Sequence, residues 1–145
     1  MSKESSISIK LYSENNLKSY SILDLLINFG WSCCIDNSQI YLPLNDNDEW
    51  NWLKEPFNFD NLKKIIISKS MADEVLGVKI LWRESNNIGG ILLIYPDLSV
   101  TFSLIGNRVE DQSGVTDFSW YIGKLIPAII NNNINIIEIS CSEYY

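Results

Sequence analysis

The sequence predicts a single α+β domain with a largely antiparallel sheet and about three packed helices. Three observations lead to this class. Short segments with alternating apolar residues recur along the chain, other segments show helical spacing, and the two kinds do not alternate strictly as βαβ units would. The length of 145 residues fits one globular domain, residues 1–145, without an internal linker.

The beginning of the chain predicts a strand followed by a helix. Residues 6–12 alternate apolar and polar side chains, which is the pattern of a half-buried strand. Within residues 22–29, apolar side chains recur at i, i+3, i+4 and i+7, which is the spacing of one helix face. Gly30 stands where a helix often ends, and Asn15 or Asn16 is available as an N-cap.

The middle of the chain predicts a hairpin, a long loop and a second helix. β-Favouring runs at residues 31–35 and 39–42 flank the turn sequence Asp-Asn-Ser, so we expect them to pair with each other. Residues 44–59 mix acidic, amide and aromatic side chains without a clear period, which predicts an exposed loop with room for one helical turn. Residues 60–70 begin with Asp60, a good N-cap, and predict a helix, although three consecutive isoleucines would also suit a strand.

The second half predicts three consecutive antiparallel strands. Residues 78–82 and 100–104 alternate apolar with other side chains. The run 91–95 between them is apolar throughout, which predicts an interior strand covered on both faces. Residues 86–90, which include two consecutive glycines, are expected to turn the chain between the first two of these strands.

A third helix and a last strand complete the predicted order. Asp117 is a suitable N-cap, and apolar residues keep helical spacing from Phe118 to Ile129. Pro127 falls inside this pattern and predicts a kink or an early stop, because its ring clashes with a carbonyl of the preceding turn. Residues 134–141 predict the final strand.

The charge and the missing residue types exclude several classes of function. Eleven Lys and Arg against eighteen Asp and Glu give a net charge of −7, which argues against nucleic acid or an anionic membrane as the main ligand. The chain has no histidine, so histidine bases, histidine-containing triads and the usual zinc sites are excluded. Cys33, Cys34 and Cys141 lack the spacing of a metal site, and we expect them to be reduced and buried. We therefore predict a protein without a metal, a cofactor or catalytic residues.

The N-terminal residues show no targeting signal. The first six residues contain no apolar run, and no segment approaches the ~18 apolar residues of a membrane-spanning helix. We therefore expect a cytoplasmic protein without a membrane partner.

The densest group of chemically notable residues lies at positions 44–57. Residues 36–60 contain six acidic residues against one lysine, and so hold most of the net negative charge. Carboxylates speed the approach of a cationic partner and aromatic anchors slow its release, so an acidic loop with tryptophans suits a protein interface. We predict partner contacts from Asp46, Asp48, Glu49, Trp50, Trp52 and Glu55.

Other interpretations of the same residues stay open. The loop could be solvated, with its tryptophans folded back on the core. Asp46 to Glu49 offer oxygen ligands for Ca²⁺, although the glycine and glutamate of an EF-hand loop are missing at their positions. Paired carboxylates also hydrolyse glycosides or phosphodiesters without a histidine, so a carboxylate-based hydrolase is a further alternative.

Three segments of the second half resemble a known class of bacterial proteins. They are Gly77-Val-Lys-Ile-Leu-Trp82, Gly89-Gly-Ile-Leu-Leu-Ile-Tyr-Pro-Asp97 and Thr116-Asp-Phe-Ser-Trp-Tyr121. Over residues 77–141, their rhythm resembles the immunity proteins of polymorphic-toxin and contact-dependent growth inhibition systems. Those proteins act by binding, so the resemblance brings no catalytic residue with it.

This resemblance implies an antitoxin that binds a cognate toxin domain, often a basic nuclease, and blocks its active site or substrate groove. The acidic loop suits a basic partner independently of the resemblance. An acidic cytosolic secretion chaperone is the main alternative, since such proteins share this size and charge. They commonly begin with a helix, whereas this chain is predicted to begin with a strand.

Overall fold

The computed structural model describes residues 3–84, 87–130 and 133–145, which form one sheet with three helices packed on it. The strands are β1 (Glu4–Tyr12), β2 (Trp31–Ser32), β3 (Ser38–Tyr41), β4 (Leu53–Pro56), β5 (Leu76–Trp82), β6 (Ile88–Ile94), β7 (Ser99–Gly106) and β8 (Asn135–Tyr144). The helices are α1 (Ser19–Phe29), α2 (Phe59–Met71) and α3 (Phe118–Ile130). The predicted α+β class with about three helices is confirmed.

The sheet is antiparallel throughout, with strand order β4-β3-β5-β6-β7-β1-β8. The first strand of the chain lies between β7 and β8, so the beginning and the end of the described chain are neighbours in the sheet. β2 lies outside this order and pairs with β5, where Trp31 is opposite Trp82. The two edges of the sheet are therefore β4 and β8.

The helices cover only one face of the sheet, which we call the inner face. Along β1, the side chains of Ile7, Ile9 and Leu11 are buried in the core. The side chains of Ser8 and Lys10, which point to the other face, are exposed. The strand alternation predicted from the sequence thus separates the core from an outer face that none of the three described helices covers.

A cluster of aromatic rings joins the inner face to α3. The ring of Trp31 is fully buried, with its centroid 5.3 Å from that of Trp82 and 5.4 Å from that of Phe102. The ring of Phe102 in turn lies 6.2 Å from that of Tyr121 in α3. The indole N–H of Trp31 donates a hydrogen bond of 3.0 Å to the carbonyl of Lys124, so this buried polar group is satisfied.

The starts of two helices differ from the prediction. α1 follows Lys18, whose side chain makes no capping bond, and does not begin at residues 15–16. α2 follows Asn58, whose side-chain oxygen accepts a hydrogen bond from the N–H of Asn61. Asp60 is therefore not the cap but a residue of the first turn, where its negative charge interacts favourably with the helix dipole and stabilises the helix.

The helix predicted for residues 60–70 is confirmed, and the strand alternative is not. Leu62 and Ile66 are buried four residues apart, and Lys69 and Ser70 extend the same buried face. The isoleucine run therefore gives one buried side chain per helical turn instead of an alternating strand.

Two predictions about strands in the first half are wrong. Residues 31–35 and 39–42 do not form a hairpin, because β2 pairs with β5 and only a bridge between Ile35 and Ser38 closes the turn. The predicted loop 44–59 contains β4, which has no apolar alternation and is held by backbone pairing with β3.

The second strand of the later hairpin also differs from the prediction. β6 begins at Ile88, so both glycines that we expected in a turn lie within a strand, and residue 86 of that turn lies outside the described residues. A Cβ atom on Gly89 would lie 2.1 Å from the carbonyl oxygen of Ile80. The backbones of β6 and β5 are therefore too close at this position to leave room for a side chain. β6 is interior but covered on one face only, since Leu92 is buried and Leu93 is half-buried.

α3 and the cysteines give two further corrections. α3 continues through Pro127 to Ile130, so the early stop does not occur.

Cys33 is buried, and this burial raises the pKa of its thiol to about 12. Cys34 is half-buried and Cys141 is exposed on the edge strand β8, so the prediction of three buried thiols is wrong for Cys141. All three thiols are free.

The outer face is covered at one place by residues that follow β3. A Cβ atom on Gly77 would lie 2.5 Å from Cδ1 of Leu42 and 2.9 Å from Cη2 of Trp52, so both side chains occupy the space above this glycine. The N–H of Leu42 donates a hydrogen bond of 3.0 Å to the carbonyl of Gly77. The absence of a side chain at position 77 thus allows the following loop to lie on the sheet.

We predict that Gly77→Ala lowers the free energy of unfolding by about 1–3 kcal/mol, because the methyl group overlaps the side chains of Leu42 and Trp52. Urea denaturation measures this loss. Gly123→Ala is the matched control, since nothing lies within 4 Å of a Cβ atom at that helical position. Alanine should stabilise the helix there by a few tenths to about 1 kcal/mol. Equal effects of the two substitutions would contradict the close packing at Gly77.

Candidate interaction surface

The acidic loop, residues 44–57, has an unusually constrained backbone. Four of its non-glycine residues have positive φ: Asn45 (63°), Asn47 (54°), Asp48 (57°) and Trp50 (59°). Asn and Asp tolerate this left-handed conformation, but it is uncommon for a residue as large as tryptophan. The surrounding contacts must therefore hold the loop in this shape.

Asp46 is the residue that organises the loop from within. Its side chain is buried, and its carboxylate accepts hydrogen bonds of 2.9 Å from the backbone N–H groups of Trp50 and of Asn51. Its backbone carbonyl accepts a third bond from the N–H of Glu49. Because both carboxylate oxygens are used inside the loop, Asp46 positions the predicted contact residues and is not itself an exposed contact.

A buried lysine anchors the start of the loop to α2. The ammonium group of Lys69 donates hydrogen bonds of 2.6 Å to the carbonyl of Pro43 and 3.2 Å to the carboxylate of Glu74. The same carboxylate oxygen accepts a bond of 2.9 Å from the N–H of Asn45. The side chain of Lys69 is only 2% exposed, and it is not among the residues predicted from the sequence. Its helical spacing from the buried Ile66 was the one available signal.

Trp52 and Glu55 also face the protein's own residues. The ring of Trp52 is half-buried above Gly77, as the alternative of a tryptophan folded back on the sheet predicts. The carboxylate of Glu55 accepts a hydrogen bond from the hydroxyl of Tyr41. Burial of Tyr41, together with this bond, raises the pKa of the phenol to about 12. Trp52 and Glu55 thus make contacts within the protein that hold residues 52–55 against the sheet.

Three of the six predicted contact residues are exposed together at the tip of the loop. The side chain of Trp50 is 43% exposed, and Asp48 and Glu49 beside it are exposed as well. Within the part of the chain that the structure describes, neither carboxylate forms an ion pair with a lysine or arginine. No ion pair within the described residues therefore neutralises their negative charges.

Apolar side chains that were not predicted as contacts are also exposed in the same segment. Leu44, Leu53 and Phe57 are each about 40% exposed, which is close to the exposure of Trp50. These residues are close to Trp50 along the chain, and exposed apolar residues with a polar rim are typical of interaction sites. We define the loop surface as Leu44, Asp48, Glu49, Trp50, Leu53 and Phe57.

A cavity beside the acidic loop has an acidic wall, which adds to the negative electrostatic potential of this region. It has a volume of about 330 Å³ and lies between the loop and the end of α2. The charged side chains of its wall are Asp46, Asp48, Asp73, Glu74 and Lys69. Four carboxylates against one ammonium group make this wall acidic. Among the described residues, no three acidic or cysteine side chains are grouped as metal ligands.

Comparisons with known proteins give no match for this chain. No family model, no curated protein and no solved structure matches it. No helix within residues 3–84, 87–130 and 133–145 is long and apolar enough to cross a membrane.

We predict that Lys69→Met lowers the free energy of unfolding by roughly 1–3 kcal/mol, because the carbonyl of Pro43 and the carboxylate of Glu74 lose their buried donor. Chemical denaturation measures the change, and amide exchange of the loop should become faster. Lys63→Met is the control, since Lys63 is exposed on the same helix. If the two variants unfold alike, Lys69 does not anchor the loop.

Proposed function

We propose that this protein is an immunity protein that binds a cognate toxin domain through the loop surface and neutralises it. The observation that carries this proposal is the 43% exposed side chain of Trp50, held at positive φ beside two carboxylates that form no ion pair with another described residue. An aromatic anchor beside acidic residues is the arrangement expected of a surface that captures a basic protein.

The rigidity of the loop supports a role in binding. An interface that is already ordered loses less conformational entropy when its partner arrives, so more of the contact energy is kept as affinity. Asp46 orders the loop from within and Lys69 fixes its start, and neither side chain is needed at the surface itself. The internal contacts would thus prepare Trp50 for insertion into a partner.

The charge of the loop supports a basic partner. Asp48 and Glu49 present carboxylates to solvent, and such groups raise the rate of encounter with a cationic protein. A nuclease binds phosphates with basic side chains, and those side chains would also pair with carboxylates. Occupation of the substrate groove or the active site by the loop surface would then block the toxin without any chemical step.

The size of the protein is sufficient for such an interface. The surface of the described structure is 7956 Å², and a standard interface takes about 800 Å² from each partner, or roughly a tenth of it.

We further propose that the protein acts in the cytoplasm. The exposed free thiol of Cys141 supports this, because reducing compartments preserve such thiols.

We expect Asp48→Asn combined with Glu49→Gln to slow association with the toxin domain roughly ten-fold at low ionic strength, and to flatten its salt dependence. The probe is the C-terminal domain of a toxin encoded beside this protein, and stopped-flow fluorescence measures the rate. Glu14→Gln combined with Glu84→Gln removes two exposed charges elsewhere and should leave the rate nearly unchanged. A control that slows association equally would show that only the net charge matters.

Trp50→Ala is expected to raise the dissociation rate about 30-fold, the effect of losing an anchor of about 2 kcal/mol, and to leave association nearly unchanged. Surface plasmon resonance separates the two rates, and survival of cells that express the toxin reports neutralisation. Tyr12→Ala, which removes another exposed ring, is the control. If the Trp50 variant binds and protects like the parent, the loop surface is not the interface. If the parent itself gives no protection, the function is wrong.

A further inference from the structure

β8 is a long strand with one unpaired edge. Its ten residues, Asn135–Tyr144, pair with β1 on one side. Within the described parts of the chain, no other strand or loop forms backbone hydrogen bonds with β8. A row of N–H and C=O groups therefore remains open on the outer side of this strand, and such a row is a template for another strand.

The other edge of the sheet is protected, whereas β8 is not. β4 has only four residues and includes Lys54 and Pro56, which are residue types that discourage strand addition. β8 is more than twice as long and contains neither lysine nor proline. Its one irregularity falls at Ile137, so Glu138 to Glu143 keep an unbroken register with β1.

The side chains of β8 are also exposed, although several of them are apolar. Ile137 is 66% exposed, Ile139 is 38% exposed and Tyr144 is 68% exposed. β-Branched and aromatic residues favour strand pairing because they pack against the neighbouring strand. An added strand would give these side chains the neighbours that they lack on the open side.

Two carboxylates, those of Glu138 and Glu143, are the charged groups of β8. Glu138 lies 3.7 Å from the ammonium group of Lys10, but both side chains are well exposed, so this pair is weak. Glu143 is half-buried, and its carboxylate accepts hydrogen bonds from the hydroxyls of Ser5, Thr116 and Tyr145 and from the N–H of Thr116. None of these donors carries a charge. These two carboxylates bracket the uncharged residues 139–142.

We propose that the open edge of β8 accepts an extended segment of a partner protein as an additional strand, with basic side chains opposite Glu138 and Glu143. The two positions are five residues apart and on opposite faces, because Glu138 pairs with the exposed Lys10 and Glu143 with the buried Ser5. The segment should therefore have Lys or Arg at both ends of a six-residue β-favouring stretch. A second copy of this chain fits less well, since each copy has a net charge of −7.

The test uses the full chain, labelled with ¹⁵N, and the synthetic peptide KVTVTK. We expect the peptide to slow amide hydrogen exchange at alternate residues of β8, whose N–H groups point to the open side, and binding to weaken as salt is raised. The peptide KVPVTK has the same charge and a proline in the middle, so it should not protect these amides. The toxin plays no part in this experiment, so its result is independent of the proposed function.

Matched variants locate the charge contact. Glu138→Gln should weaken peptide binding about two- to five-fold, the effect of one partly exposed ion pair. Glu84→Gln, which removes an exposed charge after β5, should leave binding unchanged. The β1 amides opposite β8 should exchange slowly in every variant, which shows that the sheet is intact.

Three results would overturn the proposal. The first is binding without protection of β8 amides, or no binding at all. The second is equal protection by KVTVTK and KVPVTK, because attraction of charges would then explain the effect without strand pairing. The third is a dimer of the peptide-free protein with protected β8 amides, which would make a second copy the occupant of this edge.

Discussion

The packing of Trp31 between the sheet and α3 is the contact on which the rest of the structure depends. Its ring touches those of Trp82 and Phe102, and its indole N–H satisfies the carbonyl of Lys124. Loss of a buried side chain of this size typically costs 3–5 kcal/mol, a large part of the 5–15 kcal/mol that stabilises a typical domain. The same contact brings β2 beside β5 and so determines where the chain enters the sheet again after α1.

Coverage of one face only explains where the candidate surfaces lie. The helices bury the inner face, and both candidate surfaces lie at or beside the strands at the two ends of the strand order. At one end, the acidic loop is fixed by Asp46 and Lys69 and presents Trp50. At the other end, β8 presents its backbone. The first surface would recognise side chains, whereas the second would recognise an extended main chain.

The location of the candidate site could be predicted from the sequence, but the role of each residue could not. Acidic and aromatic residues concentrated in one segment indicated the loop, and Asp48, Glu49 and Trp50 are exposed in it. Asp46 and Glu55 have the same chemistry as these residues, but their carboxylates accept hydrogen bonds from within the protein. Burial of a carboxylate depends on which donors surround it, and composition does not contain that information.

Local patterns determined the helices and most strands, since side-chain periodicity records which face of an element is buried. The sequence by itself also excluded histidine chemistry. Only the tertiary structure decided the partner of β2, the existence of β4 and the burial of Lys69. Strand pairing and ion-pair burial join residues that are distant along the chain. Their free energy therefore depends on the assembled neighbours and not on the local sequence.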